Sequence, residues 1–324
     1  MTFQTNKIAD NQTLMKYEFN SINNLLDYIE SHPINKDIFP DNKIYSELIS
    51  PNYCGGVKSV AEAIKLCRYG VDIQSIKEFI KINKLVEDIV PVYHQKRNVD
   101  HNLYGCRPDV IKSMRGNPKS MYHLKRNEPK IGLNLLMFPN ATLRAVPEQI
   151  TNLGICVIQT VKLLEMVGYD VSCYFLDLSY MYKSQSNVLN GYYEEYLLTQ
   201  VKIKDDSEIF NPAISYFPLC HPAFIRRIML RLTEEAPVTI KEWGDTSGTA
   251  IEDLDEMNKF LPYFSSYHTN NKKIVINYDV YKNCIKGDNI LEDFKSFLKY
   301  IDLEKYLTKN QQEEFNQKRK RMQF

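Results

Sequence analysis

Apolar residues recur along this 324-residue chain with two periods, and each change of period marks a new element. Ile22, Leu25, Leu26 and Ile29 follow Ser21 at the i, i+3, i+4, i+7 spacing of a helix with one buried face, and His32-Pro33 ends it. A second helix is predicted from Ser59-Val60-Ala61-Glu62, where a hydroxyl and a carboxylate three positions apart can satisfy the first free N–H groups. It runs through Ile64 and Leu66 to Gly70, a left-handed stop. A third covers residues 73–89. Together these predict a small helical N-terminal unit over residues 1–90. Residues 91–129 follow neither period and carry Pro91, Pro108, Gly116, Pro118 and Pro129, which predicts an extended connector.

The middle of the chain carries the fold signal. Residues 131–138 are an apolar run of strand length. Pro147 opens a helix with Ile150, Leu153, Val157, Val161 and Leu164 on or near one face, Gly168 closes it, and residues 170–176 form a second strand. Strand, crossover helix and strand predict a βαβ unit with both strands buried in a parallel sheet. A third strand at residues 197–204 is expected antiparallel beside the second. Helices at 208–216, 223–233 and 290–302 and a strand at 273–277 follow. The alternation predicts an α/β fold, a mostly parallel sheet flanked by helices over residues 130–304. Residues 305–324 end in Lys318-Arg319-Lys320-Arg321 and read as a basic flexible tail.

Composition narrows the class. A hydrophobic fraction of 44% with 25% charged residues is globular, and 41 Lys+Arg against 40 Asp+Glu leave a net charge of +1. That balance gives no general electrostatic reason to expect a nucleic-acid or membrane surface, so any basic patch is local. The seven cysteines are scattered and never spaced as CxxC, which favours a reducing cytoplasm over a zinc site or a disulfide framework. No stretch reaches the roughly 18 consecutive apolar residues of a membrane helix. The expectation is a soluble, cytoplasmic protein with no cofactor and no membrane partner.

In open α/β sheets, ligands sit where strands end and helices begin, which directs attention to residues 138–146. An acidic residue followed by two alternate hydroxyls, D-x-S-x-S, would bind a divalent cation there. This chain has Phe138-Pro139-Asn140-Ala141-Thr142. Asn140 and Thr142 keep oxygen donors, but a phenyl ring stands where the carboxylate belongs, so no metal is expected and the two polar residues read as turn caps. Asp177 and Ser179, past the second predicted strand, are the source of replacement oxygens if metal binds.

Elsewhere, Cys220-His221 sets a thiol beside an imidazole, but sequence neighbours diverge in space, and His221 reads as a backbone partner near a helix start. Arg226 and Arg227 are expected to reach a carboxylate or the sheet edge; the sharper alternative is a cationic strip with Arg231 for a phosphate or acidic partner. Residues 115–126 concentrate Arg115, Lys119, Lys125 and Arg126 beside Tyr122 and His123, a set that suits phosphates and base stacking. The stretch 180–196, with Tyr192 and Tyr193, is a candidate protein-docking surface. Residues 244–249 (GDTSGT) lack the lysine of a phosphate-binding loop, and no glycine fingerprint follows the first predicted strand of the βαβ unit.

Several short motifs carry a resemblance. They are CGG with the following V-x-S-V-x-E-A (from Cys54), G-N-P-x-S-M (Gly116 to Met121), Glu165 with Gly168-Tyr169 and Val171, V-K-I-K (Val201 to Lys204) and P-L-C-H-P-x-x-x-R-R (Pro218 to Arg227). Over residues 20–235 the chain resembles an uncharacterised family of phages and mobile elements of low-GC bacteria. The resemblance implies such an origin and a von Willebrand A-like sheet, and no activity.

The leading expectation is a non-catalytic protein-binding or assembly protein, acting in the host cytoplasm or virion. The alternative is a nucleic-acid-binding or processing protein using residues 115–126, Arg226, Arg227 and the basic tail. A third reading is a metal-dependent hydrolase using Asp177 with Asn140 and Thr142.

Overall fold

The computed structural model describes residues 2–9, 12–32, 34, 44–89, 98–102, 107–125, 131–138, 145–184, 192–208, 210–236, 249–250 and 258–321. The chain opens with an antiparallel hairpin, β1 (Thr2–Ala9) and β2 (Gln12–Phe19), where only helices were expected. The alternation of buried Met15, Tyr17 and Phe19 with Lys16 and Glu18 is the period-2 signature of a half-buried strand. Next come α1 (Ile22–Ser31), α2 (Tyr45–Leu48), α3 (Val60–Tyr69) and α4 (Lys77–Ile89). The caps are those read from sequence: Ser21 accepts from the Asn24 N–H, Ser59 accepts from the Glu62 N–H, and Gly70 stops α3 at φ 78°.

The stretch expected to be an extended connector holds a second, antiparallel sheet. β3 (Asn98–Asn102), β4 (Arg107–Pro108) and β5 (Met121–Lys125) pair in the order β3-β5-β4, with α5 (Val110–Met114) between β4 and β5. Its strands are too short for a period to show in sequence. Gly116-Asn117-Pro118 makes the turn before β5: Gly116 sits at φ 68°, and the Asn117 side chain accepts from the Lys119 N–H.

The main sheet then assembles from β6 (Ile131–Met137), β7 (Tyr169–Ser184) and β8 (Tyr192–Lys204), with α6 (Pro147–Met166) crossing between β6 and β7. After β8 come α7 (Pro212–Cys220), a π-helical turn (Phe224–Met229) running into α8 (Leu230–Glu235), the two-residue β9 (Thr249–Ala250) and β10 (Lys272–Ile276). α9 (Tyr278–Asn283), α10 (Ile290–Tyr300) and α11 (Lys309–Arg321) close the described chain. Where a flexible tail was expected, α11 docks through Phe315, which is buried.

The strand order is β1-β2-β8-β7-β6-β10, with β9 attached to β7. β10, β6 and β7 run parallel, β8 is antiparallel to β7, and β2 is parallel to β8. The fold is therefore α/β as expected, but the sheet is mixed rather than mostly parallel. One face is covered by helices from both halves of the chain, which share a single apolar cluster from Met15 to Phe315. The other face carries Leu14, Leu136, Phe138, Leu176 and Leu198, capped by Phe260, Leu261 and Phe264. Two of the short motifs meet on the helical side: Lys204 is buried and bridges Glu165 at 2.7 Å while donating to the Val171 carbonyl oxygen at 2.8 Å.

Candidate functional site

The crest of the sheet is where β6 stops and β7 and β8 continue. Phe138, the last described residue there, donates its N–H to the Ile276 carbonyl oxygen at 2.7 Å. Its ring turns to the second face and meets Phe264 edge-on at 5.5 Å between centroids. It is a packing anchor, not part of a polar site. Asn140 and Thr142 lie outside the described residues.

Asp177 lies on the opposite, helix-covered face, two residues beyond Phe175. The register pairs Met137 with Phe175 on one side of β7 and Ala250 with Ser179 further along, so among the described residues Asp177 falls in a gap of the ladder, a notch between β6 and β9. Its carboxylate accepts from Ser179 Oγ at 3.2 Å. Burial raises its pKa to about 6, against the lowering effect of the Ser179 hydroxyl and the Leu178 N–H. Directly across on β8 is Thr199, 1% exposed, whose Oγ1 has no hydrogen-bond partner. Tyr17 on β2 continues the row next to Thr199, and its hydroxyl shares a hydrogen bond with Tyr28. Sequence reading found Asp177 and Ser179 but missed Thr199, which sits in the run Leu197-Leu198-Thr199 and is indistinguishable there from an ordinary strand threonine.

The Cys220-His221 candidate resolves into packing. Cys220 is fully buried, with its thiol pushed well above the ordinary range by that burial. His221 accepts the Ala223 N–H on Nδ1 at 3.2 Å and stacks on Phe217 at 4.7 Å. Burial lowers its pKa to about 4, so at neutral pH it is an uncharged acceptor. Both shifts disfavour a thiolate–imidazolium pair.

Arg226 and Arg227 do not form a strip with Arg231 facing solvent, and they reach neither of the partners expected. Arg227 is fully buried and donates to the carbonyl oxygens of Ser46, Ile49 and Val57 at 2.6, 2.9 and 3.0 Å. Arg226 donates to Tyr53 and Ala145 carbonyl oxygens at 2.5 and 2.6 Å, and Arg231 pairs with Glu235. Glu234 completes the latch by accepting the Ser46 N–H and hydroxyl at 2.9 and 2.5 Å. Gly55, at φ 61°, lets the His221 ring approach to 3.0 Å of where a Cβ would stand. The C-G-G and P-L-C-H-P-x-x-x-R-R motifs are thus two halves of one structural joint.

The second sheet is different in kind. Arg115 and Lys119 are exposed, as are Met114 (83%) and Val110 (62%). In the register, Tyr122 stands between His101 on β3 and Arg107 on β4, and His123 pairs with Asp100. Of the other candidates, Tyr192 and Tyr193 lie at the start of β8, in register with Ser184 and Lys183 on β7. Among the described residues, no three His, Cys, Asp or Glu side chains converge as a metal-binding group. No helix of the described residues is long and apolar enough to cross a membrane.

Residues 4–305 match the family described as Domain of unknown function (DUF7192). The chain belongs to that family. No curated protein and no solved structure matches it. The matched range includes both sheets and the latch that joins α2 to the π-helical turn.

Proposed function

We propose that this DUF7192 protein is a binding protein whose second sheet engages the backbone of a nucleic acid. The observation that carries the reading is charge placed on a folded platform. Residues 94–130 contain nine Lys and Arg against three Asp and Glu, a local net charge of +6 in a chain whose total is +1. The structure gathers much of that stretch into β3, β4 and β5, with an aromatic residue, Tyr122, in register between a histidine and an arginine. Cations track phosphates and aromatic rings stack on bases, and that combination suits a single strand. Arg226 and Arg227, buried in the latch, take no part.

The test is binding of a fluorescent single-stranded oligonucleotide across a salt series. Affinity should fall steeply with salt, and the double variant R115E/K119E, altered at two exposed positions, should bind weaker and with a slope shallower by about 1–2. Binding that ignores salt, or a double variant equal to the parent, defeats the proposal.

A second reading, protein docking, is favoured by β1. Among the described residues this eight-residue edge strand pairs only with β2, and residues 2–7 are exposed, so an extended partner segment can add to its outer side. Only alternate residues of an edge strand face outward. Proline at Gln4 and Asn6, or at Thr5 and Lys7, should therefore abolish partner capture in one set while sparing it in the other. A phage or mobile-element origin and a von Willebrand A-like kinship belong to the same proposal. Parallel β10, β6 and β7 with α6 crossing after β6 support the kinship, and gene neighbourhood tests the origin.

A further inference from the structure

The notch at Asp177 presents two unusual features together, and neither depends on the nucleic-acid reading. A carboxylate sits on the helix-covered face of the sheet, with a hydroxyl from its own strand and, among the described residues, no cationic side chain among its interactions. Across the ladder a second hydroxyl is 1% exposed and unpartnered. Register partners in an antiparallel pair hold their Cβ atoms about 5 Å apart, so these groups share one small volume. A buried hydroxyl left without a partner costs roughly 1–3 kcal/mol. That penalty vanishes if an ion occupies the space between the hydroxyl and the carboxylate.

We propose that Asp177, Ser179 and Thr199 supply three oxygen ligands to a hard divalent cation, magnesium or manganese, seated in the notch between the end of β6 and β9. The donor chemistry fits this class. One carboxylate and two hydroxyls are all oxygen, and a single negative charge with few protein ligands suits an ion that retains several waters. A zinc or copper site would call for imidazole or thiolate, and Asp177 has neither among its interactions. The position also fits, since β6 and β7 are parallel and the notch lies just past the carboxyl end of β6, where open α/β sheets collect ligands. Metal here needs no carboxylate at Phe138, because the neighbouring strand supplies one.

The experiment uses the full chain, stripped with a chelator and titrated with manganese, read by thermal midpoint and by electron paramagnetic resonance of the free ion. The parent should gain stability with rising manganese and deplete the free-ion signal at one site per chain. D177N, near-isosteric, should lose both responses. T199V removes the unpartnered hydroxyl, so its metal-free midpoint should rise while its manganese affinity falls by at least roughly tenfold, the loss seen when even an outer partner of a metal is removed. This opposite movement separates a ligand from a structural residue. A flat parent titration overturns the proposal. So does a D177N protein that binds like the parent, or a T199V protein whose affinity is unchanged. If D177N fails to fold, T199V alone decides.

Discussion

At the scale of single residues, environment sets chemistry more than identity does. His221 carries a pKa lowered from the ordinary 6.5 to about 4 because burial disfavours its charged form. Between those values the unfolded chain binds a proton that the folded chain does not. Stability from this residue is therefore full above about pH 6.5 and is lost as pH falls toward 4. H221N places an amide oxygen near Nδ1, keeps the acceptor for the Ala223 N–H and cannot titrate. Its denaturation midpoint should fall less steeply than the parent's over that window, and parallel curves would refute the assignment. Arg227 makes the complementary point. R227K retains the charge, but one ammonium cannot span three carbonyls that a planar fork reaches. Losing two charge-assisted bonds should cost about 3 kcal/mol in urea unfolding. A loss within 0.5 kcal/mol would show that the latch is ornamental. The arginines were visible in sequence as chemistry. Their use as structural donors was not, because their partners lie 81 to 181 residues away in the chain.

At the scale of elements, the sequence was most legible where a cap or a stop acts locally. Ser21, Ser59, Gly70, Pro147 and Gly168 mark helix ends through interactions within a few residues of themselves, and the structure places ends there. Elements lacking such punctuation were missed: β1, β2 and the three strands of the second sheet depend on pairing between strands. Gly154 shows how packing overrides local preference. In an isolated helix, alanine there would gain about 1 kcal/mol. Here α6 and α7 approach so closely that an added Cβ would overlap the Leu219 carbonyl oxygen and the Cys220 Cα. Backbone cannot rotate away as a side chain does, so G154A should lower stability by about 2 kcal/mol. A neutral or stabilised G154A in calorimetry would mean that the helices separate readily.

At the scale of the molecule, the sheet has unequal protection. Helices from both ends of the chain cover one face, whereas among the described residues the other is closed chiefly by residues 260–267. Phe264 is fully buried and holds this cover through Phe138. F264A should cost about 3–5 kcal/mol. It should also expose Leu136, Leu176 and Leu198, seen as new binding of a hydrophobic dye at temperatures where the parent binds none. Without dye binding, the cover has other anchors.

The sequence by itself determined the α/β class, the central strand–helix–strand unit and most helix boundaries, since periodicity and caps are properties of neighbouring residues. It also marked residues 115–126 as basic and aromatic, which is composition. Only the tertiary structure decided that this stretch is a sheet, that Arg226 and Arg227 are spent inside a joint, and that Asp177 faces Thr199 across a notch. Each of those facts is a pairing between segments, and in the joint the segments lie up to 181 residues apart. Such pairings are chosen by the balance of burial and hydrogen-bond satisfaction over the whole fold, which no local pattern records.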